Sequence, residues 1–185
     1  DTSHNCHGYM PNAGYPQARQ AMADKSAKEQ GVAVPKECVV MAVGAAGALN
    51  SALKALLNPG DEVIVPCPYF TEYDHYIHNH GGEIIRVKTK DDFGLDASTI
   101  AAALNEKTAA IIINSPNNPS GVVYSEDTIK SVCNLLEKKS KEYGNTIYLI
   151  SDEPYRELVY DGVKVPFVMN YYKNSIVCYS FSKSL

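Results

Sequence analysis

The sequence lacks the features that mark several large classes of protein. It has no basic excess, since 17 Lys and Arg against 21 Asp and Glu leave a net charge of −4. Nothing therefore indicates electrostatic binding to nucleic acid or to an acidic membrane. No apolar stretch reaches membrane-spanning length, and no charged-then-apolar secretory leader is present. We therefore expect a cytoplasmic protein.

Cysteine is sparse and shows no pairing pattern. The five cysteines form no CxxC motif and are odd in number, which argues against a disulfide framework or a zinc site. Three of them lie in or beside apolar runs, so we expect buried, reduced thiols. His4 and His7 lie in one turn-rich segment, but no acidic or thiol set completes a site around them. We expect no bound metal.

The usual nucleotide-binding fingerprints are also absent. The turn Gly44-Ala45-Ala46-Gly47 follows an apolar run, residues 38–43, that predicts a buried strand, and it leads into a predicted helix. The turn matches neither GxGxxG nor the GK[ST] ending of a P-loop. Bare backbone N–H groups at such a helix start still form a ready anion site. Tight packing of helix against strand explains the small residues equally well.

What the sequence does contain is an alternation of helical and strand patterns. The 185 residues are 45% hydrophobic, enough for one globular domain with a sizeable core. Near-continuous apolar runs at residues 109–114 and 146–152 are typical of parallel strands covered on both faces. The pattern predicts the α/β class, with a mostly parallel sheet of about six strands.

Side chains able to do chemistry follow four of the predicted strands. They are, in chain order, Phe70, Asn118, Asp152 with Tyr155, and Lys183 after the hydroxyls of Ser180 and Ser182. Ligands of open α/β sheets lie beyond the carboxyl ends of the strands. Right-handed crossovers place all of these loops at one edge of the sheet. We therefore expect these side chains to converge there.

Lys183 follows directly on the last predicted strand, where a buried lysine needs a chemical reason. We interpret it as an amine that forms a Schiff base with a carbonyl cofactor. The tail alone also allows a solvated lysine at a frayed end. The convergence of the other loops on this position favours the first interpretation.

Three motifs, taken in order, resemble the fold-type I, pyridoxal-phosphate-dependent aminotransferases of class I/II. They are Ser-Pro-Asn-Asn-Pro-Ser-Gly at 115–121, Ser-Asp-Glu-Pro-Tyr at 151–155 and Ser-Phe-Ser-Lys at 180–183. The similarity runs from Tyr9 to Lys183. It implies a three-layer αβα sandwich in which residues 1–185 are the pyridoxal-phosphate-binding large domain. That domain would be truncated at both ends, and the family's small domain would be absent.

The resemblance also implies roles for the residues around the cofactor ring. Lys183 would form the Schiff base and then move a proton from the substrate Cα. Asp152 would pair with the pyridine nitrogen and keep it protonated. Tyr155 and Asn118 would hydrogen-bond the phenolic oxygen of the ring, and Phe70 would stack on its face.

Further residues would bind the cofactor phosphate. By resemblance these are the backbone amides around Gly44, Ala45 and Ala46, together with the hydroxyls of Ser180 and Ser182. Tyr9 would reach the phosphate of the neighbouring subunit, which implies a homodimer. The substrates would be an amino acid and a 2-oxo acid.

Some groups of the family would lie beyond Leu185. These are one arginine that clamps the phosphate and another that binds the substrate carboxylate, so we expect this chain alone to bind cofactor weakly and to transaminate poorly. A further strand would lie between the strands near Val39 and Val177. Its absence predicts an open slot or an exposed sheet edge there.

Three alternatives stay open from the sequence. A pyridoxal-phosphate-dependent lyase or decarboxylase of the same fold would use the same lysine, aspartate and tyrosine. An NAD(P)-dependent short-chain dehydrogenase would use Tyr179 and Lys183 as a YxxxK pair on one helix. No acid follows the glycine turn at ribose-binding distance, which argues against it. The last alternative is a non-catalytic domain that retains the fold.

Overall fold

A computed structural model of the protein describes residues 8–184. His4 and His7, considered above as metal ligands, lie outside the described residues. The chain divides into two compact units, one ending at Val43 and one beginning at Gly44. Each unit is described on its own.

The first unit contains one α-helix, α1, over Pro16–Gln30 in its described part. Proline suits the start of a helix because its missing N–H has no partner there in any case. The helix ends at Gly31, which takes the left-handed conformation (φ 72°) and donates its N–H to the carbonyl of Ala27 at 3.1 Å.

The strand predicted at residues 38–43 is wrong. Lys36–Cys38 forms a 3-10 turn, and no strand follows it in the described part of this unit. The side chain of Arg19 donates to the carbonyl of Val39 at 2.7 Å, where a neighbouring strand would otherwise bind. Val43 is left 93% exposed. The apolar, β-branched run favours an extended strand, but within this unit it has no strand to pair with.

The second unit alternates helices and strands as predicted. Its elements are α2 Gly44–Leu56, β1 Glu62–Cys67, α3 Tyr73–Asn79, β2 Glu83–Lys88, α4 Ala97–Ala103, β3 Thr108–Asn114, α5 Glu126–Tyr143, β4 Tyr148–Asp152 and β5 Ser175–Cys178. The helix ends follow local chemistry. The Asp96 carboxylate accepts the N–H of Ser98 at the start of α4, and Ser125 caps α5 through the N–H of Thr128.

The strands form one parallel sheet in the order β2-β1-β3-β4-β5. It has five strands rather than about six, because residues 38–43 contribute none. The predicted exposed edge is present, since β5 pairs only with β4 in the described sheet. Residues 38–43, predicted to be the other strand beside the slot, form no strand.

Alternate residues of each strand enter different cores, which confirms the three-layer architecture. Ile111 and Ile113 of β3 pack with side chains of α4 and α5. Ala110 and Ile112 pack on the opposite face with side chains of α2 and α3. The sheet is therefore covered on both faces, as the unbroken apolar runs predict.

The register of the sheet sets the position of its carboxyl edge. Asn114, the last residue of β3, pairs with Asp152, the last of β4, and Asp152 pairs with Cys178, the last of β5. Three strands therefore end level with one another. The loops that follow them begin side by side.

The prediction of buried thiols is correct for two of the described cysteines. Cys133 and Cys178 are buried and Cys67 is partly buried, while Cys38 is exposed because its segment is not a strand. All four are free thiols. None of the helices in residues 8–184 combines the length and apolar character needed to cross a bilayer.

Candidate active site

A pocket of about 260 Å³ lies at the carboxyl edge of the sheet in the second unit. It is lined by Gly44, Ala45, Ala46, Leu49, Phe70, Tyr76, Asn114, Asn118, Asp152, Pro154, Tyr155, Ser182 and Lys183. The lining holds one carboxylate and one amine, with amide and hydroxyl groups between them. Its volume is close to the lower end, about 300 Å³, of typical small-molecule sites.

The first turn of α2 forms one wall. Gly44 has φ of +67°, which an L side chain rarely adopts, so glycine allows the chain to turn into the helix here. The first N–H groups of any helix lack intrahelical partners. No acidic residue lies in this first turn, so the N–H groups of Ala45 and Ala46 and the positive end of the helix favour an anion.

The loop after β3 is held by side-chain amides. The Asn118 N–H donates to Asn114 Oδ1 at 2.6 Å. The Asn117 Oδ1 accepts from both the N–H and the hydroxyl of Ser120. The Asn114 amide also donates to the backbone carbonyl of Asp152 at 2.8 Å. One buried asparagine therefore ties the Asn118 loop to the end of β4.

Tyr155 faces Asn118 across the pocket, and the Asn118 amide donates to its hydroxyl at 3.4 Å. The chain on either side of Tyr155 is anchored by an ion pair between Arg156 and Glu153 at 2.5 Å. Glu153 is 1% exposed and also accepts from the Ser151 hydroxyl. Arg156 donates further to the carbonyls of Val165 and Pro166. These contacts hold the turn that presents Tyr155.

Asp152 is the only acid in the pocket lining, and it is 5% exposed. Its Oδ2 accepts from the Tyr73 hydroxyl at 2.6 Å. Its Oδ1 is buried and has no hydrogen-bond partner among the described residues. Burial raises the pKa of Asp152 to about 6, the Tyr73 hydrogen bond lowers it, and the nearby charge of Glu153 raises it. A buried carboxylate oxygen without a donor is costly unless a ligand supplies one.

Lys183 ends a short 3-10 helix, Phe181–Lys183, that follows β5. It lines the pocket but is exposed, so the expectation of a lysine at a buried position is wrong. The turn is stabilised by Ser180, whose hydroxyl accepts the Ser182 N–H at 3.2 Å and donates to the Ser182 hydroxyl. Ser182 lines the pocket, whereas Ser180 lies buried behind it.

Phe70 and Tyr9 occupy different environments. Phe70 lines the pocket just past β1, and its ring packs edge-to-face on Tyr73 with centroids 5.8 Å apart. Tyr9 belongs to the first unit and its side chain is fully exposed, at 108%.

Among residues 8–184, no group of three or more His, Cys, Asp or Glu side chains could hold a metal ion.

Sequence reasoning missed two residues that organise the site, Asn114 and Tyr73. It also missed Leu49, Tyr76 and Pro154 in the lining. Asn114 carried a signal, since a polar residue that ends an apolar parallel strand lies where ligands bind. Tyr73 carries no comparable signal in the sequence. Its bond to Asp152 joins residues 79 positions apart, which no local pattern encodes.

The fold and the pocket define a three-layer α/β protein with a small-molecule site at the carboxyl edge of its sheet. The family model for aminotransferase class I and II matches residues 1–185. The chain belongs to this family. Membership excludes the short-chain dehydrogenase alternative. The structure agrees with this exclusion, because Tyr179 precedes the 3-10 turn that carries Lys183 and does not share a helix with it. The Tyr179 hydroxyl donates to Glu157 instead.

Several relatives share this fold and sequence. An aspartate/prephenate aminotransferase of Thermus thermophilus is 36% identical over 83% of this chain and 39% of its own length. A probable N-acetyl-LL-diaminopimelate aminotransferase of Bacillus subtilis is 34% identical over 97% of this chain and 45% of its own. An aminotransferase structure from Eubacterium rectale superposes with a TM-score of 0.95 at 44% identity, over 98% of this chain and 47% of that one. The chain therefore spans less than half the length of these proteins.

Proposed function

We propose that this chain is the cofactor-binding part of a pyridoxal-phosphate-dependent aminotransferase, which transfers an amino group between an amino acid and a 2-oxo acid. The observation that carries the proposal is that Lys183 and Asp152 line one pocket together with Tyr155 and Asn118. Family membership supports the reaction class. The relatives named above are aminotransferases rather than lyases or decarboxylases, which favours amino transfer over those alternatives.

The pocket fits the cofactor on two independent grounds. Asp152 has a buried oxygen without a partner, and a protonated ring nitrogen would supply the missing donor and cationic charge. The lining that the structure describes contains no charged side chain besides Asp152 and Lys183, and the first turn of α2 offers backbone N–H groups to a phosphate.

The residues near the reacting atoms would have distinct roles. When bound, pyridoxal phosphate would supply an aldehyde that bonds to the Lys183 amine with loss of water, and a ring that draws electrons from the substrate Cα. Lys183 Nζ, once the amine of the substrate has released it from the aldehyde carbon, would take the proton from that Cα. It must be unprotonated to do so, and its exposure allows exchange of that proton with solvent.

Asp152, Tyr155 and Asn118 would orient the ring. The Asp152 carboxylate would hold the proton on the ring nitrogen. The Tyr155 hydroxyl and the Asn118 amide, already 3.4 Å apart, would both reach the phenolic oxygen. Phe70 would cover one ring face, and its edge-to-face contact with Tyr73 limits its movement.

The phosphate would be bound by backbone and hydroxyl donors. These are the amides at Gly44, Ala45 and Ala46 and the hydroxyl of Ser182, with Ser180 supporting Ser182 from behind. We assign residues 1–185 to the large domain of the enzyme and place the protein in the cytoplasm, where its free thiols stay reduced.

Tyr9 would complete the phosphate site of a neighbouring subunit in a homodimer. Its fully exposed side chain is available for such a contact. Sedimentation equilibrium of the complete protein that the gene encodes would test the dimer. A monomer at all concentrations would contradict it.

We expect pyridoxal phosphate to attach covalently to Lys183. The complete protein is incubated with the cofactor, reduced with borohydride and digested, and the labelled peptide is identified by mass spectrometry. The label should lie on Lys183, because among residues 8–184 it is the only amine lining the pocket. A label spread over exposed lysines such as Lys173, or none at all, would overturn the proposal.

A further inference from the structure

The buried hydroxyl of Tyr73 binds Asp152 but takes no direct part in the proposed reaction. Tyr73 opens α3 and is 1% exposed. Its hydroxyl donates to Asp152 Oδ2 at 2.6 Å, the range of a charge-assisted O–H···O⁻ bond. Burial, before any other cause, raises the pKa of Tyr73 far above its usual value, so the group stays an O–H donor. The Tyr73 hydroxyl therefore keeps its own proton and donates it in a hydrogen bond to the Asp152 carboxylate.

The Tyr73 ring is held on several sides. It packs edge-to-face on Phe70, parallel to Tyr69 at 6.3 Å and tilted against Tyr76 at 6.5 Å. Tyr69 is in turn fixed by Asp74 at 2.9 Å and by Arg86 at 2.7 Å. The hydroxyl that reaches Asp152 thus comes from a ring with little freedom to move away.

Asp152 itself is held through its backbone. Within the sheet, Asp152 pairs with Asn114 of β3 on one side and with Cys178 of β5 on the other. The Asn114 amide also binds its carbonyl. With the backbone fixed and Oδ2 bound to Tyr73, Oδ1 is the oxygen left for a ligand in the pocket that Asp152 lines.

The other acidic groups around Asp152 do not favour its charge. They are Tyr76 on α3, Cys178 on β5, and Glu153 and Tyr155 after β4, while α2 adds none to the pocket lining and Lys183 is the amine at its edge. Glu153 acts against ionisation, and burial does so more strongly. The hydrogen bond from the Tyr73 hydroxyl acts in the opposite direction and lowers the pKa of Asp152.

We propose that Tyr73 is a positioning residue that keeps Asp152 ionised and leaves its Oδ1 free for the cofactor ring nitrogen. The inference rests on the proposed function for the identity of the ligand. The coupling between Tyr73 and Asp152 does not depend on the proposed function. The two can therefore fail separately.

The experiment is a carboxyl ¹³C NMR titration of Asp152 in the cofactor-free complete protein, with the signal assigned by its loss in Asp152→Asn. Tyr73→Phe keeps the ring and removes only the hydroxyl. We expect the pKa of Asp152 to rise by about one unit, since a hydrogen bond to the charged form is lost. The dissociation constant for pyridoxal phosphate near pH 6 should then increase by up to about tenfold, with less change at pH 8.

Two further variants make the outcome decisive. Tyr172→Phe removes another buried hydroxyl, which donates to the Ile147 carbonyl at 2.7 Å and not to an acid, so the pKa of Asp152 should stay as in the wild type. Site-specific 3-fluorotyrosine at position 73 makes a stronger donor and should lower the pKa of Asp152. The 3-fluorotyrosine variant also tests the coupling if Tyr73→Phe does not fold.

An Asp152 pKa that does not move in either Tyr73 variant, or that moves equally in Tyr172→Phe, would overturn the inference. If borohydride labels no lysine but the Asp152 shift appears, the proposed function fails while the coupling stands. If the label appears and the shift does not, only the coupling fails.

Discussion

Replacing Lys183 with alanine should lower the rate of amino-group transfer by about 10⁴-fold, the upper range for losing a positioned acid–base group. The variant also loses the only amine that lines the pocket and with it the covalent attachment. The chain should still fold, because the side chain is exposed and the 3-10 turn is held by Ser180 rather than by Lys183. The measurements are kcat in the complete protein and the circular dichroism spectrum.

Two controls separate the amine from the charge. Lys183→Arg keeps a cation but cannot act as a neutral amine, so it should be as inactive as the alanine variant. Lys173→Ala removes an exposed lysine outside the pocket lining and should leave the rate unchanged. Lys183→Arg activity within about tenfold of the wild type would mean that the group acts only through its charge.

Replacing Asp152 with asparagine should have opposite effects on activity and on stability. The rate should fall by about 10²–10³-fold, because a preorganised charge at the ring nitrogen is lost. The free energy of unfolding of the cofactor-free protein near pH 7 should instead rise, because the buried carboxylate no longer has to ionise without a cationic partner.

The pH dependence gives the sign and size of the stability effect. The folded pKa of about 6 lies above the ordinary 3.8, so the native state holds the proton more tightly than the unfolded state. The resulting stability is complete below pH 4 and is lost as the pH rises through 6. A pKa of about 6 in place of 3.8 corresponds to about 3 kcal/mol.

Urea unfolding of the wild type and of Asp152→Asn from pH 4 to pH 8 measures this difference. The two curves should diverge between pH 4 and pH 6, with the asparagine variant the more stable above that range. Saturating pyridoxal phosphate should reduce the advantage, since it supplies the missing partner to the wild type. Parallel curves would show that Asp152 ionises as it does in the unfolded chain.

The order and type of the elements in the second unit were predictable because their signals are local. The α5 helix runs from the Ser125 cap to Gly144, and both residues act within a few positions of themselves. The apolar run of β3 predicts a strand covered on both faces, and its residues do enter both cores. Once the strands are parallel, their carboxyl ends share an edge, so Asn118, Asp152 and Lys183 meet there.

The failures arose where a segment depends on a distant partner. Residues 38–43 have the composition of a strand, but a strand needs a neighbour for its N–H and C=O groups, and Arg19 takes the Val39 carbonyl instead. The exposure of Lys183 depends on how the turn after β5 leaves the sheet.

The sequence by itself determined the α/β class of this protein, the motif order that marks the aminotransferase family, and the meeting of Lys183 and Asp152 at the carboxyl edge of the sheet. Periodicity, caps and motifs are properties of neighbouring residues, so they can be recognised in the sequence without a structure. Only the tertiary structure decided that Tyr73 binds Asp152 Oδ2, that Asn114 joins two loops, and that Oδ1 is left without a partner. These contacts join residues far apart in the chain, and burial, which raises the pKa of Asp152, exists only once the sheet and its helices are packed.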